Sequence, residues 1–254
     1  MLKTLTIGGL QFQMFSLMLG AGVLAAFFGL LAQCGKLHLK GKAETNVLTA
    51  FPFAFLVGAI IAHLLDVVAH GGIAALFSAD ILKYGIAFNG MLLGGIPYYF
   101  VHSRITKTGF VYLLDIYLPL YAIAQAFGRI GCFLGGCCYG MPCAEFGCVY
   151  PDGSLPDEKY HGIPLFPTQL VEAAWLFLVY FGIRFFARFH HRAAAYLLLL
   201  STGRFVLEFF RGDDRGTFGG SFLSPAQVLS IGFFICGMIL LFRKKEASAS
   251  SQTP

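Results

Sequence analysis

The sequence predicts an all-α integral membrane protein of about seven transmembrane helices, with its N-terminus outside and its C-terminus in the cytoplasm. Composition points there first: 57% of the residues are hydrophobic and 12% are charged, against roughly 25% charged residues in soluble domains. Mean hydropathy is +0.73. The second observation is run length. A helix crosses a hydrocarbon core ~30 Å thick in ~20 residues at ~1.5 Å each, and apolar runs of that order recur along the chain. The third is that Lys and Arg gather in alternate connections.

The first run, Phe12–Gln33, follows Met1–Gln11 and ends at Gly35-Lys36. It has full spanning length and no small-residue cleavage site at its end, so a retained helix is expected rather than a signal peptide. Val47–Ala69 lies between Gly41-Lys42 and Gly71-Gly72, and Gly85–His102 between Lys83 and Arg104. Val111–Phe127 runs from Gly109 to Gly128. Thr168–Phe186 starts after Pro167, Ala193–Phe210 is bracketed by Arg192 and Arg211, and Ala226–Phe242 opens after Pro225 and closes at Arg243.

One set of connections carries Lys36, Lys40, Lys42, Arg104, Lys107, Arg184, Arg188, Arg192, Arg243, Lys244 and Lys245, whereas the alternate set carries only Lys3, Lys83, Lys159 and Arg215. The richer set belongs in the cytoplasm. The net charge of +5 therefore reflects orientation, and no nucleic-acid partner is expected. With no repeat of 20–50 residues, an inverted-repeat transporter gains no support. Residues 1–245 read as one membrane domain, with an outer loop at Met141–Leu165 and a disordered Ser/Ala-rich tail at Glu246–Pro254.

The charges left inside the runs mark a site. Arg129, Arg204 and Arg211 fall toward the outer half of their helices. An arginine in hydrocarbon costs roughly 2.5 kcal/mol or more unless it faces a cavity or a partner. Arg204, Glu208 and Arg211 are spaced i, i+4, i+7, which puts them on one helical face where Glu208 bridges both guanidinium groups. Two arginines against one glutamate leave positive charge for an anion, and the abundant anion of a bilayer is lipid phosphate. The competing reading is a buried ion-pair network that only locks helices together.

Arg129 opens a second cluster, Gly128-Arg-Ile-Gly-Cys-Phe-Leu-Gly-Gly-Cys-Cys-Tyr-Gly140. Its glycines permit close backbone approach and unwound turns; small-residue helix packing explains them equally well until the arginine is added. No Walker pattern is present.

Gly128-Arg129-Ile130-Gly131-x-Phe133 with Tyr139-Gly140 resembles the signature of bacterial prolipoprotein diacylglyceryl transferases, and the likeness runs almost the whole length. Pro167-Thr-Gln169-Leu-Val-Glu172 looks like the helix opening after that family's outer loop. Arg204-Phe-Val-Leu-Glu208-Phe-Phe-Arg211-Gly-Asp-Asp214 looks like its late arginine motif, Val57–Ile61 like part of its second helix, and Asp115 stands where it has an aspartate. The resemblance implies a multi-pass enzyme of the bacterial cytoplasmic (inner) membrane. It would move diacylglyceryl from phosphatidylglycerol, or a similar anionic phospholipid, to the lipobox cysteine of an exported protein, with no cofactor. Arg129, Arg204 and Glu208 would carry the chemistry, and Arg211, Gly131, Gly140, Asp115 and Gln169 would help hold substrate.

Departures gather at the reactive centre. Asn89 stands for the family's histidine, Cys132 for its asparagine, Cys137 for its glutamate, Phe15 for its first-helix tyrosine and Phe166 for a histidine. Asn89 cannot act as a base, so an acceptor thiol of pKa ~8.5 must lose its proton elsewhere. Cys132 and Cys137 beside Arg129 are candidates for thiolate chemistry. With Cys138, Cys143 and Cys148 they crowd the outer side, where disulfides are permitted and Cys143 with Cys148 can close a small loop. The CxxC spacing of a zinc or thioredoxin motif is absent, and no metal is expected. The alternative function is a diverged member using Cys137, Cys138, Cys143 and Cys148 for thiol redox, small-thiol modification or metal handling.

Overall fold

The computed structural model describes residues 4–7, 10–78, 88–213 and 222–243. The tail Glu246–Pro254, Asp214, and the loop charges Lys3, Lys83, Arg215, Lys244 and Lys245 lie outside them. Eight α-helices are described: α1 (Met14–Lys36), α2 (Lys42–Gly71), α3 (Phe88–Thr106), α4 (Phe110–Gly135), the short α5 (Leu155–Tyr160), α6 (Thr168–Phe186), α7 (Arg192–Leu207) and α8 (Pro225–Phe242). An antiparallel hairpin, β1 (Thr4–Ile7) with β2 (Leu10–Gln13), precedes α1 in the register Thr4 to Gln13.

Among the described residues six helices are long and apolar enough to cross a membrane: Met14–Lys36, Lys42–Val68, Phe110–Gly135, Thr168–Phe186, Phe189–Phe210 and Pro225–Phe242. The remaining expected run forms α3, which is not among them. Asn89, Tyr98, Tyr99, His102, Ser103 and Arg104 dilute its apolar character. Phe28, Phe53, Leu178, Phe185 and Phe242 are exposed, as lipid-facing side chains are.

The chain forms two compact units, one from the residues up to Gly29 together with Leu118–Lys245, the other built on Leu30–Tyr117. In the second, glycines bring α2 and α3 nearly into backbone contact. A Cβ on Gly90 would meet Ala62 Cα at 2.6 Å, and one on Gly94 would meet Gly58 Cα at 2.9 Å, the close approach that small residues allow between membrane helices. Tyr99 and Tyr117 stack at 4.4 Å, and the Tyr117 hydroxyl donates to Val47 O. Asp115 is buried in this unit.

In the first unit, Gly22 of α1 lies against Ala124 of α4 and Gly237 of α8 against Leu198 of α7. Gly203 of α7 faces the Trp175 indole, whose Nε1 donates to Leu199 O at 3.1 Å. The helix α8 starts on a capping box between Ser224 and Gln227, with Pro225 in its first turn. Between α4 and α6 the chain folds over itself: Gly140 N donates to Phe166 O, Phe166 N to Met141 O, and Leu165 and Cys148 exchange both backbone bonds. Tyr139, Tyr150 and Leu165 form a small core there, with Tyr160 against it.

Candidate functional site

The end of α4, the start of α6, the end of α7 and the N-cap of α8 bring four ionised side chains into one chain of contacts. Arg129 Nε meets Glu172 Oε1 at 3.0 Å, and Arg204 Nη1 meets Glu172 Oε2 at 3.2 Å. Arg204 Nη2 meets Glu208 Oε2 at 3.1 Å, and Ser224 Oγ donates to Glu208 Oε1 at 3.0 Å. Arg129, Arg204 and Glu172 are each at most 7% exposed. In such a setting charges persist only when paired.

This geometry corrects three expectations. Glu208 does not bridge Arg204 and Arg211. The α-helix ends at Leu207 and continues as a 3-10 turn over Glu208–Phe210, so the i, i+7 position leaves the shared face. Arg211 adopts extended backbone, bridges Gly140, and grips Asp213 with two bonds of 2.7 Å. The bridging carboxylate is instead Glu172, which sequence reasoning quoted as part of a motif without giving it a role. The rule that singled out the intramembrane arginines finds it when applied to acids, because Glu172 stands in the same kind of apolar run. Finally, positive charge is not left over in bulk: Glu172 and Glu208 match Arg129 and Arg204, and Asp213 matches Arg211.

A free face nevertheless remains on one guanidinium. Among the described residues Arg129 pairs through Nε, and its two terminal amino groups make no bond. Arg204, by contrast, has both terminal nitrogens on carboxylates.

Beyond Gly135 the helix α4 unwinds through Gly136 (φ +72°) and Cys138 (φ +61°). A non-glycine residue in the left-handed region is uncommon and is held there by its surroundings. Here Thr168 Oγ1 donates to Cys138 O at 2.8 Å and Gln169 Nε2 to Cys137 O at 2.7 Å, while Cys137 N donates to Cys132 O at 3.1 Å. The result gathers Cys132, Cys137 and Cys138, with all three sulfurs within 4.8 Å of one another. Hydrogen bonds from Cys132 and Cys137 hold the Cys138 thiol below its ordinary value; burial opposes them, and Arg129 and Arg211 add to them. Spacings of five and one hide this cluster in the sequence, because it depends on where α4 stops.

The other candidates separate by role. Gln169 is buried, and besides Cys137 it donates to the Tyr150 hydroxyl at 2.9 Å; burial pushes that phenol up to about 12. Gly131 seats α4 on α1, since a Cβ there would lie 3.1 Å from Phe15 Cα. Gly140 is threaded past Phe166, whose carbonyl a Cβ would meet at 2.4 Å. Phe166 itself packs on Phe210 at 5.4 Å. Cys143 and Cys148 are free thiols, so the disulfide permitted by the sequence is not formed; both are held by backbone bonds to Pro164 and Leu165. Asn89 lies in the first turn of α3 and its side chain is outside the described residues.

The sequence matches the family model described as prolipoprotein diacylglyceryl transferase over residues 3–243. It is 29% identical to a protein of Clostridium perfringens named phosphatidylglycerol–prolipoprotein diacylglyceryl transferase 2, over 97% of this chain and 96% of that one. It is 28% identical to the Clostridium tetani protein named phosphatidylglycerol–prolipoprotein diacylglyceryl transferase, over 93% and 96%, and 30% identical to one of that name from Rickettsia rickettsii, over 93% of each chain.

Proposed function

The chain belongs to the prolipoprotein diacylglyceryl transferase family, and from that premise we propose that it moves a diacylglyceryl group from phosphatidylglycerol to a cysteine thiol of a prolipoprotein. The protein is multi-pass, and we place it in the bacterial cytoplasmic membrane with the site open to the outer leaflet. The observation that carries the reading is the half-committed guanidinium of Arg129, buried in a helix bundle with two amino groups left for an anion.

In the reaction the acceptor sulfur attacks a glycerol carbon of the lipid, the C–S bond forms, and the C–O bond to phosphate breaks with departure of glycerol phosphate. Negative charge builds on that phosphate as the bond breaks. A fixed guanidinium in a dry site stabilises it without having to reorganise. Glu172 orients Arg129 by its Nε and ties it to Arg204; Glu208 fixes Arg204, and Ser224 fixes Glu208 in turn. Arg129 is thus the residue placed to touch phosphate, and the others position it.

The test is transfer to a lipobox peptide by the purified full-length protein in phosphatidylglycerol nanodiscs, read as the mass of one diacylglyceryl group. Arg129→Ala is expected to lower the rate by about 10²–10³-fold, the usual cost of losing a charge-stabilising donor, with Arg129→Lys recovering part of it. No transfer from folded wild-type protein, or full activity in Arg129→Ala, overturns the proposal. A second reading rests on the Cys132, Cys137 and Cys138 cluster: a small thiol as acceptor, or thiol redox at the membrane. Modification of a free thiol in preference to the peptide, or a reversible disulfide within the cluster in place of transfer, favours it.

A further inference from the structure

The three gathered sulfurs are the feature that lipid binding leaves unused. A point among sulfurs no more than 4.8 Å apart lies within about 2.8 Å of each, close to the ~2.3 Å of a zinc–thiolate bond. Rotation of one or two side chains closes the remainder. Among the described residues no fourth Cys, His, Asp or Glu atom joins the group. Zinc takes four ligands, and where a protein supplies three the fourth position is open to water or substrate. We propose that Cys132, Cys137 and Cys138 bind a zinc ion whose fourth position receives the acceptor thiol.

Several features of the surroundings fit a built site. Three thiolates and Zn²⁺ carry one net negative charge, and the positive charges of Arg129 and Arg211 act on the Cys138 sulfur. The backbone of two ligands is fixed from outside, Cys137 by Gln169 and Cys138 by Thr168, the outer-shell support that metal sites use. Cys138 is held in a left-handed conformation that such support has to maintain.

The site answers a chemical need of this chain. Resting on the transferase reading, the inference concerns how the acceptor is activated where Asn89 offers no base. The acceptor thiol binds zinc as its S–H bond breaks and the proton passes to water, since a coordinating thiol is deprotonated outright. The thiolate then forms the C–S bond as the C–O bond to phosphate breaks. No electron is gained or lost. Arg129, three residues before Cys132 on α4, sets the phosphate beside the sulfur.

Full-length protein purified anaerobically with a phosphine reductant and no chelator should carry about one zinc per chain by elemental mass spectrometry. Cobalt(II) in its place should give sulfur-to-metal charge-transfer absorption. Cys132→Ser, Cys137→Ser and Cys138→Ser should each weaken metal binding by more than about 100-fold, beyond the loss seen for outer-shell changes. Cys143→Ser with Cys148→Ser should retain it. Adding a lipobox peptide should shift the cobalt spectrum, and the same peptide with serine for cysteine should not. Trace metal in protein whose thiols all alkylate, or binding indifferent to the three serine variants, overturns the site. Transfer by zinc-free protein overturns the role of the metal in activating the acceptor while leaving the transferase reading intact. Metal binding with no response to the peptide thiol overturns the fourth-ligand role, and metal binding without any transfer removes the transferase reading and the acceptor-activating role with it, leaving only the zinc site.

Discussion

At the scale of single residues, the outcome turns on which carboxylate holds which guanidinium. Glu172 touches two arginines from the buried start of α6, so Glu172→Gln preserves shape while stranding two charges. Breaking a buried pair in this way costs about 3–5 kcal/mol, and a clear fall in the unfolding temperature in detergent is expected, together with loss of transfer. Asp213→Asn strands one guanidinium where Glu172→Gln strands two: the Arg211 side chain is 4% exposed although its carboxylate partner is 22% exposed, so the unfolding temperature of this variant should also fall, but by less. Equal unfolding temperatures for the two variants would show that the network does not support the bundle. Arg129, Arg204 and Glu208 were legible from sequence because an ion in an apolar run is conspicuous. Their pairing was not, because the helix changes pitch at Glu208 and carries Arg211 to a different partner.

At the scale of elements, the decisive contacts are made where side chains are missing. Gly90 on α3 sits so close to Ala62 on α2 that the obstacle to a Cβ is backbone, at 2.6 Å. Gly90→Ala must therefore part the two helices, at a cost of about 1–3 kcal/mol typical of overpacking. Gly182 on α6 has nothing within 4 Å of its would-be Cβ, and Gly182→Ala should be neutral or gain about 0.5–1 kcal/mol in helix stability. Thermal unfolding monitored by circular dichroism should separate the two substitutions in sign. Helix cores were legible from the apolar runs, but which glycines serve packing and which serve turns requires knowing the neighbouring helix. The hairpin before α1 has a readable signal in Thr4–Ile7 and Leu10–Gln13, two alternating runs joined by Gly8-Gly9, but each is far shorter than a span.

At the scale of the whole molecule, the placement of the termini turns on parity. Among the described residues six helices meet the length and apolarity of a span. If α3 also crosses, the termini lie on opposite faces; if it does not, they lie on the same face. The 19 residues of α3 reach about 28 Å at the usual rise, enough for a core ~30 Å thick. Its less apolar composition is that of a sheltered helix: Met91, Leu92, Tyr99 and Ser103 are buried, and Gly90 and Gly94 press it onto α2. Arg104 closes its end and lies over the Phe100 ring at 4.8 Å, where an arginine belongs at a cytoplasmic interface. A crossing α3 is also what the distribution of Lys and Arg among the connections requires. Fusions after Ser78, after Lys107 and at the C-terminus decide the matter. Alkaline phosphatase should be active after Ser78 and inactive after Lys107, and green fluorescent protein should fluoresce after Lys107 and at the C-terminus. Phosphatase activity on the same side of α3 at both ends would reduce the spans to six and reverse the placement of the N-terminus relative to the C-terminus, leaving the charge asymmetry without its explanation.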